Sequence, residues 1–331
     1  MIHRLPLSRR KGLLSTLTAA LVAVATVFAL PATASAADKL NVVATTGMIA
    51  DAARRIGGDA VEVRALMGPG VDPHAYRQTR TDIVAMTKAD LILRHGLFLE
   101  AQMEEFFGKL GRTRPVVAVA GALPEDLLIA HDDYADKFDP HVWMDPDRWQ
   151  HVVVTIRDTL IEAMPTRQRD LEANTAAYLQ EIEALGTFAD QALATVPDDG
   201  RVLITAHDAF NYFGDAYGFE VIGIQGISTQ SEAGLHRVAE LVDLLVDRKV
   251  KAVFVESSVS DRSIRALIEG AASKGQEVTI GGSLFSDAMG EPGSYEGTYL
   301  GMIDHNATTI TRALGGDAPE KGRLGQLSET M

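Results

Sequence analysis

Short apolar segments alternate with longer amphipathic ones from residue 40 onward. The apolar runs are rich in Val, Ile and Leu and predict buried strands. In the first half of the chain these strands are 40–45, 61–66, 90–93 and 115–119. Amphipathic stretches between them predict a helix at 49–56 and another that Thr81 caps and that runs to residue 88. Strands that alternate with helices and carry no polar face indicate a parallel sheet covered on both sides.

The same alternation returns after a long helical stretch. A helix at 147–164, with Asp147 as its predicted cap, precedes a helical pattern that runs from 167 to 196 without proline. Such a helix would span about 45 Å, which is long enough to form a rigid connection between two lobes. Strands are then predicted at 202–206, 219–224, 250–255 and 277–280, and helices at 231–249 and 298–314.

The predicted fold class is therefore α/β. We expect two lobes, each a four-stranded and mainly parallel sheet with flanking helices, joined by one long rigid helix. The predicted segments are a signal peptide at 1–36, an N-terminal lobe at 37–165, a linking helix at 166–197, a C-terminal lobe at 198–316 and a loose polar tail at 317–331.

The first 36 residues have the pattern of an export signal. Basic residues precede an uncharged apolar run over 13–30, and Ala34-Ser35-Ala36 has the small side chains of a cleavage site. The apolar run is close to membrane-spanning length, so a retained anchor is the alternative. The small-residue exit without a basic flank favours cleavage near Ala36. Arg9-Arg10 leaves the twin-arginine route open beside the general export route.

Composition narrows the classes of partner and of site. The signal holds four of the 31 Lys/Arg residues and none of the 45 Asp/Glu residues, which leaves the mature chain with a formal net charge of −18. Such an anionic surface argues against nucleic acids and anionic membranes as partners. The chain has no cysteine, hence no disulfide, no thiolate metal site and no lipid attached to cysteine. Together with the signal, this predicts a soluble protein of a bacterial periplasm. We also expect the protein to be a monomer.

One tripeptide, Asp-Pro-His, occurs twice, at 72–74 and at 139–141. Proline fixes its own φ and restricts the residue before it, so each copy presents its histidine from a stiff loop, as a metal ligand requires. Both histidines follow predicted strands, and ligands bind outside the carboxyl ends of parallel strands. Two facing lobes could therefore bring together the four polar side chains that share this placement: His74, His141, His207 and Asp287.

Three imidazoles and one carboxylate make a complete tetrahedral set for zinc. Imidazole also binds iron, copper and nickel, whereas manganese prefers more oxygen ligands. Glu256 ends another strand, and we expect it to orient or cap a ligand because the set is already complete. The loop at 131–133 is predicted to be an ordinary acidic loop, with metal collection as the alternative. The other histidines of the mature chain are predicted not to be ligands: His95, His131, His151, His236 and His305.

Five segments carry a resemblance to a known family: 70–76, 139–146, 207–213, 255–257 and 284–290. From about Leu40 to Leu314 the chain resembles the zinc and manganese solute-binding proteins of bacterial ABC importers, which have a TroA-like fold. This resemblance implies two lobes joined by a long helix, a metal buried in the cleft between them, and metal ligands at His74, His141, His207 and Asp287.

The third ligand position separates the branches of that family. Members that resemble manganese binders tend to carry Glu there and zinc binders His, so His207 favours the zinc branch. The zinc members often have a long His- and acid-rich loop before the second ligand, and here that loop is short, with His131 alone.

The function that the resemblance implies is high-affinity binding of Zn²⁺ as transported cargo and its delivery to an ABC permease in the inner membrane. A periplasmic metallochaperone is a further candidate partner. The same role for Mn²⁺ or Fe²⁺ stays open, since Asp287 could bind through both oxygens. A secreted zinc hydrolase would need a bound water and Glu256 as base, with Asp287 off the metal. A four-ligand set has no position for that water, so we expect no enzyme.

Overall fold

The computed structural model describes residue 3, residues 39–131 and residues 134–328. The predicted signal peptide, apart from residue 3, and positions 132 and 133 of the acidic loop lie outside these residues. The described residues from 39 onward form one compact unit. The lobe boundaries at 37–165, 166–197 and 198–316 therefore stay predictions. We refer below to residues 39–165 as the N-terminal half and to residues 198–328 as the C-terminal half.

The described residues contain strands and helices close to those predicted. The strands are β1 Leu40–Ala44, β2 Val61–Ala65, β3 Leu91–Arg94, β4 Val116–Ala118, β5 Val202–Thr205, β6 Glu220–Gly223, β7 Ala252–Glu256 and β8 Thr279–Leu284. The helices are α1 Gly47–Gly57, α2 Arg80–Lys88, α3 Glu104–Leu110, α4 Pro146–Ala163, α5 Gln168–Leu193, α6 Asn211–Tyr217, α7 Leu235–Arg248, α8 Arg262–Ser273 and α9 Tyr299–Ala313. The prediction lacked α3, α6 and α8.

A four-stranded parallel sheet forms the N-terminal half, in the order β2-β1-β3-β4. Successive side chains of β1 point to opposite faces of this sheet. Val42 packs in the cluster that contains α1 and α4, whereas Val43 packs with Met86 of α2 and Phe107 of α3. Both faces are thus covered, which explains why the strands are apolar throughout, and all four strands end at one edge.

The C-terminal half also contains four parallel strands, but they pair two by two. β5 pairs with β6 and β7 pairs with β8, while β5 and β7 are neighbours that form no ladder. At the carboxyl ends of these two strands the backbone N–H of His207 donates to Glu256 Oε1 at 2.8 Å. A side chain thus takes the place of a ladder bond. The α/β class with parallel strands and flanking helices is confirmed, although the second sheet is two pairs instead of one sheet of four.

The long helix α5 is 26 residues and about 39 Å long. It is not an exposed connector, because one face is buried along its whole length: Leu171, Tyr178, Ile182, Leu185, Ala189 and Leu193. Thr175 and Ala192 are buried beside them, and this face packs against α1 and α4 of the N-terminal half and against α9 of the C-terminal half. One continuous apolar core therefore joins the two halves through α5.

The C-terminal tail differs from the loose segment predicted at 317–331. In its described part, to residue 328, the backbone N–H of Arg323 donates to both carboxylate oxygens of Asp304 at 3.0 Å. The N–H of Ser328 donates to Glu296 Oε1 at 2.6 Å, and Leu327 is buried. The prediction was wrong for residues 317–328 because buried carboxylates of α9 and the preceding loop bind this polar backbone. Among the described residues, no helix has the length and apolar character needed to cross a membrane.

Candidate metal centre

The four predicted ligands lie at the carboxyl ends of the strands, where both halves meet. His74 is in the loop after β2, and His141 immediately precedes a short 3₁₀ turn at Val142–Met144. His207 follows β5 by two residues, and Asp287 follows β8 by three. All four side chains are buried. The strand-end argument therefore selects residues that the fold brings to one place.

One potential ligand atom from each of the four residues lies within 4.8 Å of the others. The Nε2 atoms of His74 and His141 are 3.2 Å apart. Asp287 Oδ1 is 3.4 Å from Nε2 of His141, and Asp287 Oδ2 is 3.3 Å from Nε2 of His207. Three ring nitrogens and a carboxylate converge on a common centre, the donor set of a tetrahedral zinc site.

Two atoms of this cluster lack a hydrogen-bond partner although they are buried: His207 Nε2 and Asp287 Oδ1. Buried polar atoms are rarely left unpaired, because the loss of water costs about 1–3 kcal/mol per group. Each of these atoms faces the centre of the cluster. The observation fits a site in which a cation is the missing partner of both atoms.

The two Asp-Pro-His segments share one local hydrogen bond. In the first, the N–H of His74 donates to Asp72 Oδ1 at 2.8 Å; in the second, the N–H of His141 donates to Asp139 Oδ1 at 2.9 Å. Each aspartate therefore closes a small turn around the proline and fixes the backbone of the histidine two residues later. The turn explains why this tripeptide supplies a stiff ligand position.

Beyond that turn, Asp139 fixes the ring of its own histidine. Asp139 Oδ1 also accepts a hydrogen bond from His141 Nδ1 at 2.6 Å, and Asp139 Oδ2 accepts one from Asn211 Nδ2 at 3.1 Å. The Asp139 side chain is fully buried. With Nδ1 engaged in this way, Nε2 of His141 is the nitrogen directed at the cluster, and the carboxylate increases its basicity.

Glu256 does the same for His207 from a different strand. Its Oε2 accepts a hydrogen bond from His207 Nδ1 at 2.5 Å, and its Oε1 accepts one from the backbone N–H of His207 at 2.8 Å. Both carboxylate oxygens are therefore engaged with a single residue. This geometry matches the orienting role predicted for Glu256 and leaves no free oxygen to act as a general base.

His74 is held from the opposite half of the molecule. Asp72 Oδ2 accepts a hydrogen bond from Thr229 Oγ1 at 2.6 Å, and Gln230 Nε2 donates to the carbonyl oxygen of His74 at 3.0 Å. Gln230 Oε1 in turn accepts from Gln102 Nε2 at 2.9 Å. We call Thr229 and Gln230, which belong to the loop between β6 and α7, the clasp.

The protonation of the two carboxylate-bound histidines follows from their partners. Burial would lower the pKa of His141, but the Asp139 carboxylate raises it to about 9. Burial likewise opposes charge on His207, yet Glu256 and Asp287 raise its pKa well above the usual value. At neutral pH both rings are therefore protonated on both nitrogens, and an incoming ion must displace the proton on Nε2.

His74 and Asp287 titrate in the opposite sense. Burial lowers the pKa of His74 to about 3, so its ring is neutral and ready to bind a cation. Burial would raise the pKa of Asp287, but the neighbouring histidines, His207 above all, hold it well below its usual range. The carboxylate is therefore ionised and supplies the negative charge that a divalent ion needs.

A small cavity lies beside the His74 ring. Its volume is about 20 Å³, room for one water molecule. Both halves contribute to its lining: Leu97, Phe98, Ala101, His131, Tyr134, Pro140, Ile227, Ser228 and Gln230. His74 is the only one of the four candidate ligands that lines this cavity, whereas Asp287 lines a different cavity of about 440 Å³.

The remaining histidines lie outside the cluster. His95 is fully buried, and its Nε2 is 2.7 Å from the carbonyl oxygen of Pro140, directly before His141. His131 lines the small cavity, and His305 Nε2 is 2.8 Å from the carbonyl oxygen of Ser283. His151 and His236 are exposed. His95 is thus a support of the second Asp-Pro-His segment that nothing in the sequence identified.

Comparison with known proteins identifies the family. A family model described as zinc-uptake complex component A, periplasmic, matches residues 42–313. The manganese-binding lipoprotein MntA of Bacillus subtilis (strain 168) is 49% identical over 280 residues, which cover 85% of this chain and 91% of MntA. The zinc-binding protein TroA of Treponema pallidum (strain Nichols) is 44% identical over 281 residues, with the same two coverages.

A solved structure agrees with these sequence relationships. The periplasmic zinc-binding protein TroA from Treponema pallidum matches with a TM-score of 0.81, over 83% of this chain and 99% of that chain. Both relatives are named for the metal that they bind. The chain belongs to the family of periplasmic component A of zinc-uptake complexes, metal-binding subunits of ABC importers that are not enzymes.

Proposed function

We propose that this protein captures Zn²⁺ in the periplasm through His74, His141, His207 and Asp287 and delivers it to the permease of an ABC importer. The observation that carries the proposal is the buried convergence of three imidazole nitrogens and a carboxylate oxygen within 4.8 Å. Three nitrogens and one oxygen form a closed tetrahedral set that suits zinc better than ions that require mainly oxygen.

Mn²⁺ or Fe²⁺ is the second candidate cargo. Two observations favour it: a relative named for manganese is 49% identical, and both oxygens of Asp287 face histidine nitrogens of the cluster. A bidentate Asp287 would give a five-coordinate site that manganese tolerates more readily than three nitrogens and one oxygen. A further relative, YfeA of Yersinia pestis, is named an iron-binding protein and is 32% identical over 280 residues.

The location and partners follow from the same proposal. The predicted signal at 1–36 would direct the chain to the periplasm, where it would act as a monomer and meet the permease in the inner membrane. The relative MntA is named a lipoprotein, whereas this chain has no cysteine that could carry a lipid, which supports release after cleavage near Ala36. A periplasmic metallochaperone is a further proposed partner.

Calorimetric titration of the protein, stripped of metal with a chelator, tests the proposal. We expect one tight Zn²⁺ site that is lost in His74→Ala, His141→Ala and His207→Ala. His236→Ala is the matched control, because the His236 side chain is 86% exposed on α7 and should not affect binding. Unchanged binding in all three site variants would refute the assignment.

The metal found after extraction from the periplasm distinguishes the cargo. Zinc in the purified fraction, together with a competition titration that favours Zn²⁺ at cellular concentrations, supports the zinc assignment. Manganese or iron in that fraction would replace it with the second candidate. Affinity in vitro alone is insufficient, because zinc outcompetes manganese and ferrous iron at most nitrogen-containing sites.

A further inference from the structure

The two oxygens of Asp287 have different surroundings. Each oxygen faces a histidine nitrogen, Oδ1 that of His141 and Oδ2 that of His207. Oδ1 has no hydrogen-bond partner, whereas Oδ2 also accepts a hydrogen bond from Ser258 Oγ at 3.3 Å. Asp287 is otherwise buried among the histidines. A carboxylate in this position can bind a cation through one oxygen or through both. What engages Oδ2 therefore affects the coordination number.

The hydroxyl of Ser258 also contacts a second hydroxyl, that of Ser286. Ser258 Oγ and Ser286 Oγ are 2.8 Å apart. Because Ser258 uses its only proton toward Asp287, Ser286 must be the donor of this second bond. The hydroxyl of Ser258 is thus oriented by Ser286, and a polarised donor strengthens the bond that it makes in turn.

The backbone holds both serines in place. The N–H of Ser257 donates to the carbonyl oxygen of Leu284 at 2.9 Å, which continues the pairing of β7 with β8 up to the cluster. Trp143 Nε1 donates to the carbonyl oxygen of Ser286 at 2.8 Å. Ser258 directly follows this paired position, and Ser286 is held through its carbonyl oxygen, so both hydroxyls have a defined place beside the carboxylate.

We propose that Ser258 determines metal specificity: by donating to Oδ2 of Asp287 it holds the carboxylate as a one-oxygen ligand, which favours four-coordinate zinc over manganese. This inference rests on the proposed function, since it concerns the same cation site. Without the hydroxyl, Asp287 is free to turn about its last bond and offer both oxygens. The resulting higher coordination number suits Mn²⁺, which prefers more oxygen ligands.

The test measures the ratio of Zn²⁺ to Mn²⁺ affinity by competition titration in Ser258→Ala, Ser258→Thr and the unaltered protein. Removal of the hydroxyl in Ser258→Ala should shift the ratio about tenfold toward manganese, the lower end of the usual effect of a group that supports a ligand. Ser258→Thr keeps the hydroxyl and should keep the ratio. Ser260→Ala, an exposed serine on the same segment, is the control for unspecific effects.

X-ray absorption of the bound zinc gives a second readout that general destabilisation would not move. We expect one oxygen in the first shell of the unaltered protein and two in Ser258→Ala. If Ser258→Ala does not fold, Ser286→Ala tests the same hydroxyl pair, and the ratio should shift in the same direction by a smaller factor. An unchanged ratio and an unchanged shell in the folded variant, or an equal shift in Ser258→Thr, would overturn the inference.

The outcome for the unaltered protein separates this inference from the proposed function. If the unaltered protein binds neither Zn²⁺ nor Mn²⁺, the proposed function fails, and with it the basis of the inference. If the protein binds both ions and Ser258→Ala leaves their ratio unchanged, only the role of Ser258 is refuted.

Discussion

The two Asp-Pro-His segments begin with the same turn and end in different surroundings. In the second, Asp139 binds the ring of its own histidine, and its remaining oxygen binds Asn211. In the first, Asp72 makes no such ring contact, and its remaining oxygen accepts a hydrogen bond from Thr229, which like Asn211 belongs to the C-terminal half. One aspartate makes its ligand basic and rigid, while the other couples its ligand to the clasp.

This difference indicates that His141 and His74 have different roles in metal binding. His141 is fixed by the contact of its ring with Asp139, has a high pKa and does not line the small cavity. His74 is neutral, lines the cavity and is restrained by residues that belong to the other half. We infer that the second segment sets how tightly an ion is held, and that the first sets how fast it leaves. The three predictions below test that division.

The largest effect is expected in the second segment, for Asp139→Asn. The amide can keep the turn to the backbone of His141, but it removes the buried negative charge that supports the ring. Zinc affinity should fall about 10- to 100-fold, as for other partners of ligand histidines. Competition against a chelator of known affinity measures the change. Asp72→Asn is the matched control and should lose clearly less affinity; an equal loss in both would contradict the division.

A smaller effect, mainly on rate, is expected for Thr229→Val in the clasp. Valine keeps the shape of threonine and removes the hydroxyl that donates to Asp72. A hydrogen bond to a charged group is worth about 1.5 kcal/mol at the low end, so transfer of zinc to excess chelator should accelerate roughly tenfold. Stopped-flow mixing measures this rate. Thr229→Ser, which keeps the hydroxyl, should behave as the unaltered protein, and an unchanged rate in Thr229→Val would show that the clasp does not limit release.

The smallest effect concerns pH. Because the pKa of His141 is raised to about 9 before an ion binds, zinc must displace its proton at neutral pH, and affinity falls as pH falls. The His141 proton alone should weaken binding about threefold between pH 7.5 and 7.0, in addition to the effect of the proton that His207 releases. Binding enthalpies in buffers of different ionisation enthalpy report the released protons. Asp139→Asn should release fewer protons, whereas equal release would exclude Asp139 as the cause.

The sequence allowed a good prediction of the fold and of the cluster, because both depend on local pattern. Apolar runs located all eight strands, and strand ends selected the four residues that converge. Local signals also existed where the prediction missed. Thr79 and Asp82 form a capping box at α2, so Thr79 is the cap and not Thr81. Asp145 caps α4 before Pro146, not Asp147, which fits the preference of proline for the first helical position.

Of the three helices that the prediction lacked, one has a recognisable sequence pattern and two do not. In α8 the buried residues Ile264, Leu267 and Ala271 recur at helical spacing, so its pattern was available in the sequence. α3 and α6 have seven residues each, about two turns, too short for such a pattern to be distinctive.

Contacts between distant residues could not be predicted. Both Asp-Pro-His segments share the bond from aspartate to the histidine N–H, which is local. The other oxygen of Asp72 binds a residue 157 positions away, and that of Asp139 a residue 72 positions away. Only the folded chain determines which neighbour each oxygen meets. The same holds for Ser258, whose significance depends on the packing of β7 against β8.

The packing of α5 has a consequence for the thermodynamics of binding. Its apolar face is already covered by both halves along its whole length, so little additional apolar surface remains to be buried when an ion arrives. A negative heat-capacity change is the signature of such burial. The heat capacity of the protein should therefore hardly change on binding, and the temperature dependence of the affinity should reflect coordination bonds and displaced protons instead of the closure of a hinge.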